Sequence, residues 1–350
     1  MARLGLATNS GHKLEQATLW KVLLGTDDGA ANMKVAYWPA MAEREITEGL
    51  RRIPGVNLAI TGNVDELAAA APEIEALVIG SQSFTGRVAE VLRADAKRLR
   101  LVQLVTAGYD GPQAHGVPPG VVVANAGESW SPAVAEHGMA LLLSLVKRLP
   151  DAINNQARHA WDRRHAELMG GLEGQTLAIV GFGSIGREFA RRARGFGMHI
   201  IGLSRSARSD PLADEVLPIA ALDAALARAD VVLLVLPYSK GTHHIIGADA
   251  LAICKSGAIL LNLARGGLVD PVALAAALKS GRLGAAGIDV TEPEPLGAHD
   301  PLWDAPNLII TPHVAGANGP AGRDRLAQFV AANVGRFVAG HSVKCIVEIG

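Results

Sequence analysis

Between residues 176 and 194 the chain reads as an apolar run, Leu177-Ala178-Ile179-Val180, then Gly181-Phe182-Gly183-Ser184-Ile185-Gly186, then a helix-like stretch to Arg194. Few architectures accommodate a strand that enters a Gly-x-Gly-x-x-Gly turn and leaves as a helix. Gly181 permits the tight turn, Gly183 lets backbone approach a pyrophosphate, and Gly186 lets helix and strand pack closely. Ser184 and Ile185 open the helix, whose N-terminal N–H groups and positive dipole end would face the phosphates. The same residues could form a glycine-rich turn of purely structural use, but the strand–turn–helix context favours a dinucleotide cradle.

The surrounding pattern extends that prediction. From Met33 onward, short apolar runs alternate with amphipathic stretches. Met33–Trp38, Val56–Ile60, Ala76–Ile79, Leu101–Val105 and Val121–Ala124 read as strands; Glu43–Arg52, Val64–Ala70 and Gly86–Leu92 read as helices. A long helix should start at Ser131-Pro132, with Ser131 as its cap, and run to about Arg148, where Pro150 interrupts the pattern. A second series follows: Leu177–Val180, His199–Leu203, Val231–Leu236, Ala258–Leu261, Ala285–Ile288 and Leu308–Ile310. This rhythm predicts an α/β protein with two Rossmann-like domains built on parallel sheets. The expected boundaries give a dinucleotide-binding domain at 129–317, inserted into a discontinuous, flavodoxin-like substrate-binding domain at 33–128 and 318–350. Residues 1–32 read as an appendage. An over-long start-codon choice is one explanation, while Glu15, Asp27 and Asp28 run against the acid-poor pattern of a transit peptide.

Bulk properties narrow the function. A formal net charge of -1 over 350 residues offers no basic field for nucleic acid or a membrane surface. Two cysteines, Cys254 and Cys345, provide no disulfide framework or metal-ligand spacing. With no bilayer-length apolar run and no secretory core, a soluble cytoplasmic protein is expected. His243 and His244 are adjacent but lack a third ligand at metal spacing, so they are expected to be structural or surface residues, and no metal is expected.

The adenosine end of the cofactor is addressed by Gly202-Leu203-Ser204-Arg205-Ser206-Ala207-Arg208, which holds no carboxylate before Asp210. An acidic residue there would bind a ribose hydroxyl and repel a 2′-phosphate. Ser204, Arg205 and Arg208 suit a phosphate instead, which favours NADP(H), with NAD(H) the alternative. Three reactive side chains then follow strand ends, the edge where open α/β sheets hold ligands. Arg265 lies in Asn262-Leu263-Ala264-Arg265-Gly266-Gly267, Glu294 in Asp289-Val290-Thr291-Glu292-Pro293-Glu294-Pro295, and His313 in Thr311-Pro312-His313-Val314-Ala315-Gly316. A guanidinium suits capture of a carboxylate beside a ketone, and an imidazole suits proton transfer. Singly, each could be a solvated or capping residue; Glu292 competes with Glu294, and Asp289 could merely cap the next turn.

Taken in order, these segments resemble the D-isomer-specific 2-hydroxyacid dehydrogenase family, from about Val78 to Gly316 and most strongly from Leu172. The resemblance rests also on Val134-Ala135-Glu136-His137 and on Ala229-Asp230-Val231-Val232 before Leu236-Pro237. It implies a glyoxylate/hydroxypyruvate reductase-like oxidoreductase working between NADP(H) and a small 2-oxo acid. In those roles His313 moves the proton, Glu294 orients the imidazole and favours its charged form, and Arg265 holds the substrate carboxylate. The resemblance places substrate-holding backbone at Ser81, Gln82, Ala107, Gly108 and Tyr109. It adds Pro237, Leu263, Ala264, Asp289, Ala315 and Gly316 to the cofactor contacts, and implies a homodimer. Family members vary at Gly241–Ile246, and Ser81–Phe84 is not diagnostic of one acid. Three alternatives stay open: an NAD-dependent D-2-hydroxyacid dehydrogenase, a phosphite dehydrogenase, and a non-catalytic NAD(H)-sensing scaffold. Formate oxidation is disfavoured, because those enzymes carry glutamine where Glu294 stands.

Overall fold

The computed structural model describes residues 32–317 and 319–349. The expected appendage therefore lies, except for Asn32, outside the described residues. The chain divides into two compact units, one formed by residues up to Ser129 together with those from Gly319, the other by Trp130–Asn318. In chain order the strands of the first unit are β1 (Met33–Tyr37), β2 (Val56–Ile60), β3 (Ala76–Ile79), β4 (Leu101–Leu104) and β5 (Val122–Ala124). Those of the second are β6 (Thr176–Val180), β7 (His199–Ser204), β8 (Glu215–Pro218), β9 (Val231–Leu234), β10 (Ala258–Asn262), β11 (Leu283–Ile288) and β12 (Leu308–Ile310). A short β13 (Ile346–Val347) returns to the first.

The first unit orders its sheet β13-β5-β4-β3-β1-β2, parallel except for β13, which runs antiparallel to β5. Without β13 this is the flavodoxin-like order. The second orders its sheet β12-β11-β10-β9-β6-β7-β8 with every pairing parallel, the doubly wound nucleotide-binding order with its switch point between β6 and β9. β3 and β9 are buried at every residue. Such continuous apolar runs follow from helices covering both faces of a parallel sheet. No helix among the described residues is long and apolar enough to cross a membrane.

Several local expectations are corrected. The long helix spans Ser131–Val146 with Trp130 at its N-cap and no side-chain cap bond, so Ser131 is its buried first residue rather than its cap. Pro150 does not interrupt a helix but sits in the first turn of a new one, Leu149–Ala157, where its missing N–H costs nothing. Arg148, at φ +53°, makes the break between the two. β9 stops at Leu234 because the chain then crosses the glycine turn: a Cβ on Gly181 would lie 2.6 Å from the Leu236 nitrogen. β8 and β13 lack a legible signal, β8 being a half-exposed edge and β13 only two residues long.

Candidate active site

The glycine turn is built as its spacing requires. Gly181 has φ +103°, and a Cβ on Gly186 would lie 2.8 Å from the Gly181 carbonyl oxygen, so strand and helix touch there. A Cβ on Gly183 would meet no atom within 4 Å. That open space lies at the N-terminus of the Ser184–Arg194 helix, whose N-cap makes no side-chain bond, and the arrangement fits a pyrophosphate. At the end of β7, the Ser204 hydroxyl oxygen accepts from the Ala207 N–H at 3.2 Å, shaping the turn, while Arg205 and Arg208 are exposed. Asp210, the first carboxylate beyond the turn, pairs with Arg187 of the Ser184–Arg194 helix that precedes β7. It is therefore drawn away from the role of a ribose acceptor.

Arg265 follows β10. Buried Asn262 holds its backbone: the Asn262 amide donates to the Arg265 carbonyl at 2.9 Å, and its oxygen accepts from the Ala264 N–H at 3.1 Å. The guanidinium donates to the Ala264 carbonyl at 2.6 Å. Beyond it, Gly266 packs directly on the next loop, since a Cβ there would lie 2.0 Å from the Thr291 carbonyl carbon.

Asp289, just past β11 and fully buried, organises the His313 loop. Its Oδ1 accepts from the Thr311 hydroxyl at 2.6 Å and the Val314 N–H at 2.9 Å, and its Oδ2 from the Ala315 N–H at 2.8 Å. Its carbonyl accepts from the His313 N–H at 2.7 Å. These bonds hold His313 at φ +54°, a left-handed backbone that costs an ordinary L-residue about 1–2 kcal/mol. His137 completes the arrangement, with Nε2 2.9 Å from the Thr311 hydroxyl. Because the only hydroxyl proton of Thr311 goes to Asp289, His137 Nε2 must be the donor to Thr311.

His313 Nδ1 lies 2.8 Å from Glu294 Oε2, and Glu294 Oε1 accepts from the Thr291 N–H at 3.2 Å. The pairing leaves Nε2 as the ring nitrogen not engaged by the carboxylate. Glu292, the competitor for this role, points elsewhere: its Oε2 is 3.3 Å from both His243 Nε2 and His244 Nε2. The expectation that the histidine pair lacks a third ligand-type neighbour is thus corrected. The missing group comes from 48 residues farther along the chain, where no local spacing could reveal it.

In the first unit, the loops after β3 and β4 meet through Thr106. Its hydroxyl oxygen accepts from the Ser81 N–H at 3.2 Å and donates to the Gly108 carbonyl at 2.8 Å. The Ser81 oxygen accepts from the Gly111 N–H at 3.0 Å, so Ser81 is buried and internally bonded. That moves the substrate-donor expectation from Ser81 towards exposed Gln82 and the half-buried Ala107-Gly108-Tyr109 turn. The Ala107 carbonyl is itself held by the Asn125 amide at 2.9 Å.

Residues 139–315 match the family model described as "D-isomer specific 2-hydroxyacid dehydrogenase, NAD binding domain". The chain belongs to the D-isomer specific 2-hydroxyacid dehydrogenase family. A D-3-phosphoglycerate dehydrogenase of Mycobacterium tuberculosis is 38% identical over 82% of this chain and 53% of its own length, so the chain spans about half of that relative. A glyoxylate reductase of Thermococcus onnurineus is 37% identical over 74% of this chain and 79% of its own. A solved structure of a family protein from Aeromonas salmonicida superposes with TM-score 0.80 at 32% identity, covering 91% of this chain and all of that one.

Within the family frame, the positions carried over as cofactor contacts also lie past strand ends of the second unit. Pro237 is exposed beyond β9, whereas Leu263 and Ala264 follow β10, with the Leu263 N–H donating to the Leu234 carbonyl at 3.1 Å. Ala315 is buried by its bond to Asp289, and Gly316 lies against Trp130. Thr311 and His137 were missed as site residues. Their only sequence signal is adjacency, Thr311 to the His313 segment and His137 to the start of the long helix.

Proposed function

We propose that the chain is an oxidoreductase that reduces a small 2-oxo acid, such as glyoxylate or hydroxypyruvate, to its D-2-hydroxy acid with NADP(H). The observation that carries this reading is the His313–Glu294 pair, on the same sheet edge as Arg265 and the glycine turn. A bound nicotinamide cofactor would supply the hydride. Gly181, Gly183, Ser184, Ile185 and Gly186 would hold its pyrophosphate, and Pro237, Leu263, Ala264, Asp289, Ala315 and Gly316 its nicotinamide half. Ser204, Arg205 and Arg208 would hold a 2′-phosphate; the Asp210–Arg187 pairing supports that preference by leaving no carboxylate to repel it.

Arg265 would bind the substrate carboxylate and stabilise charge developing on the carbonyl oxygen. His313 would deliver a proton to that oxygen from Nε2. Glu294, bonded to Nδ1, fixes the tautomer and balances the imidazolium charge. In the first unit, Gln82 and the Ala107–Tyr109 turn would offer backbone N–H groups to a carboxylate. The second reading, a D-3-phosphoglycerate dehydrogenase, is supported by the 38% identity.

The test is steady-state turnover of glyoxylate, hydroxypyruvate, pyruvate and 3-phosphohydroxypyruvate, with NADPH and NADH separately. Turnover of an unphosphorylated acid, faster with NADPH, is expected. It should fall about 100- to 10,000-fold in His313→Ala, with cofactor binding retained. No turnover of any acid would overturn the reading, and turnover of the phosphorylated acid alone would replace it with the second.

A further inference from the structure

The histidine pair lies outside the machinery just described and has an unusual arrangement. The His243 and His244 rings stack, with centroids 3.8 Å apart and planes at 24°. Both Nε2 atoms face the same oxygen of Glu292, each at 3.3 Å. A charge-assisted N–H···O bond settles at about 2.7–2.9 Å, so neither contact has the length of an optimised ion pair. Zinc bonds of about 2.0–2.1 Å at tetrahedral angles place neighbouring ligand atoms about 3.3–3.4 Å apart. The observed separations match that tetrahedral edge.

The three side chains are held by structure that requires no metal. The turn preceding the pair is fixed by the Ser239 N–H donating to the Thr242 hydroxyl at 2.8 Å and the Thr242 N–H donating to the Ser239 carbonyl at 3.0 Å. His244 has φ +49° and donates its N–H to the Gly267 carbonyl at 2.7 Å. Tyr238 meets the His243 ring edge-on at 6.0 Å. Gly267 leaves room for Glu292, since a Cβ there would approach both carboxylate oxygens at 3.0 and 3.1 Å. The side chains are 43%, 34% and 44% exposed, so an ion could enter from solvent.

We propose that His243, His244 and Glu292 form a site for a divalent transition-metal ion of the zinc class, with two imidazoles, one carboxylate and an open fourth position. Two nitrogens and one oxygen suit Zn²⁺ over Mg²⁺ or Ca²⁺, which take oxygen ligands. A bound ion would tie the 239–244 turn to the Thr291–Pro295 loop, which also carries Glu294. The proposal does not depend on the reaction assigned above, because its readout is metal binding.

Tag-free full-length protein, stripped with chelator and dialysed, is titrated with Co²⁺ followed by absorption in the visible, and with Zn²⁺ by calorimetry. One equivalent of each is expected, Zn²⁺ displacing Co²⁺, with affinity falling on acidification as the imidazoles protonate. The His243→Ala, His244→Ala double variant should lose more than the roughly tenfold that removal of even an outer partner costs a metal site. His243→Gln, an exposed single change, should show the same direction if the double variant fails to fold. Absence of a stoichiometric site in the wild type, or Zn²⁺ affinity in His243→Gln within about twofold of wild type, would overturn the proposal.

Discussion

His313 occupies a backbone conformation that an imidazole side chain does not by itself select, and Asp289 holds it there through both its carboxylate and its carbonyl. Asp289 accepts from four groups of the Thr311–Ala315 segment when its carbonyl is counted, and His137 closes the chain through the Thr311 hydroxyl. Thr311→Val keeps the shape but removes the hydroxyl, leaving a buried acceptor and a histidine donor without their partner. A loss of about 1–3 kcal/mol of stability is expected, with a lower kcat and little change in cofactor affinity. Thr311→Ser should restore both; chemical denaturation and steady-state kinetics check this. A second residue-scale prediction concerns the end of β7. Ser204→Asp places a carboxylate where a 2′-phosphate is proposed to lie, and should raise the KM for NADPH about tenfold or more while sparing NADH. An equal effect on both cofactors would remove Ser204 from that role.

At the scale of elements, the reactive groups are brought together by loops that leave neighbouring parallel strands. Arg265 follows β10, Glu294 and Asp289 follow β11, and His313 follows β12, so the β10–β11–β12 order makes them neighbours. Packing between these loops then sets their height. Gly266 touches the Thr291–Glu292 backbone so closely that Gly266→Ala must displace it. The substitution is expected to cost about 1–3 kcal/mol and to lower kcat by moving Glu294. A melting curve and kcat measured on the same preparation check it, and an unchanged kcat would show that the loop tolerates the shift. Apart from β8, the strands of the second unit were legible because each is a compact apolar run. The Leu149–Ala157 helix was not, because Pro150 carries the same signal whether it ends a helix or begins one.

At the scale of the whole chain, the first unit is assembled from both of its ends. The Pro320–Val338 helix returns to it and carries Asn333, whose amide donates to Gln103 at 2.6 Å and to the Lys344 carbonyl at 3.0 Å. The Asn333 oxygen accepts from the Lys344 N–H at 2.7 Å, and both Asn333 and Gln103 are buried. Asn333→Ala would leave the buried Gln103 oxygen without its donor and break both bonds to the Lys344 backbone. A loss of about 1–3 kcal/mol is expected in the unfolding of the first unit, with nucleotide binding by the second unit unaffected. Urea unfolding followed by circular dichroism, together with cofactor titration, checks this. Neither Asn333 nor Gln103 stood out in the sequence, since a polar residue in an amphipathic pattern reads as solvent-facing until its neighbours are known.

The amino-acid sequence by itself determined the α/β class, the two sheets and the glycine turn, and singled out Arg265, His313 and the Glu292/Glu294 segment as candidates. Each of these depends on residues close in sequence: apolar runs, turn glycines and short motifs. Tertiary structure alone decided that Glu294 rather than Glu292 pairs with His313, that Asp289, Thr311 and His137 hold the His313 loop, and that Glu292 faces His243 and His244. The reason is physical. Hydrogen-bond partners are selected by distance in space, and a parallel sheet places the ends of adjacent strands side by side although tens of residues of crossover separate them along the chain.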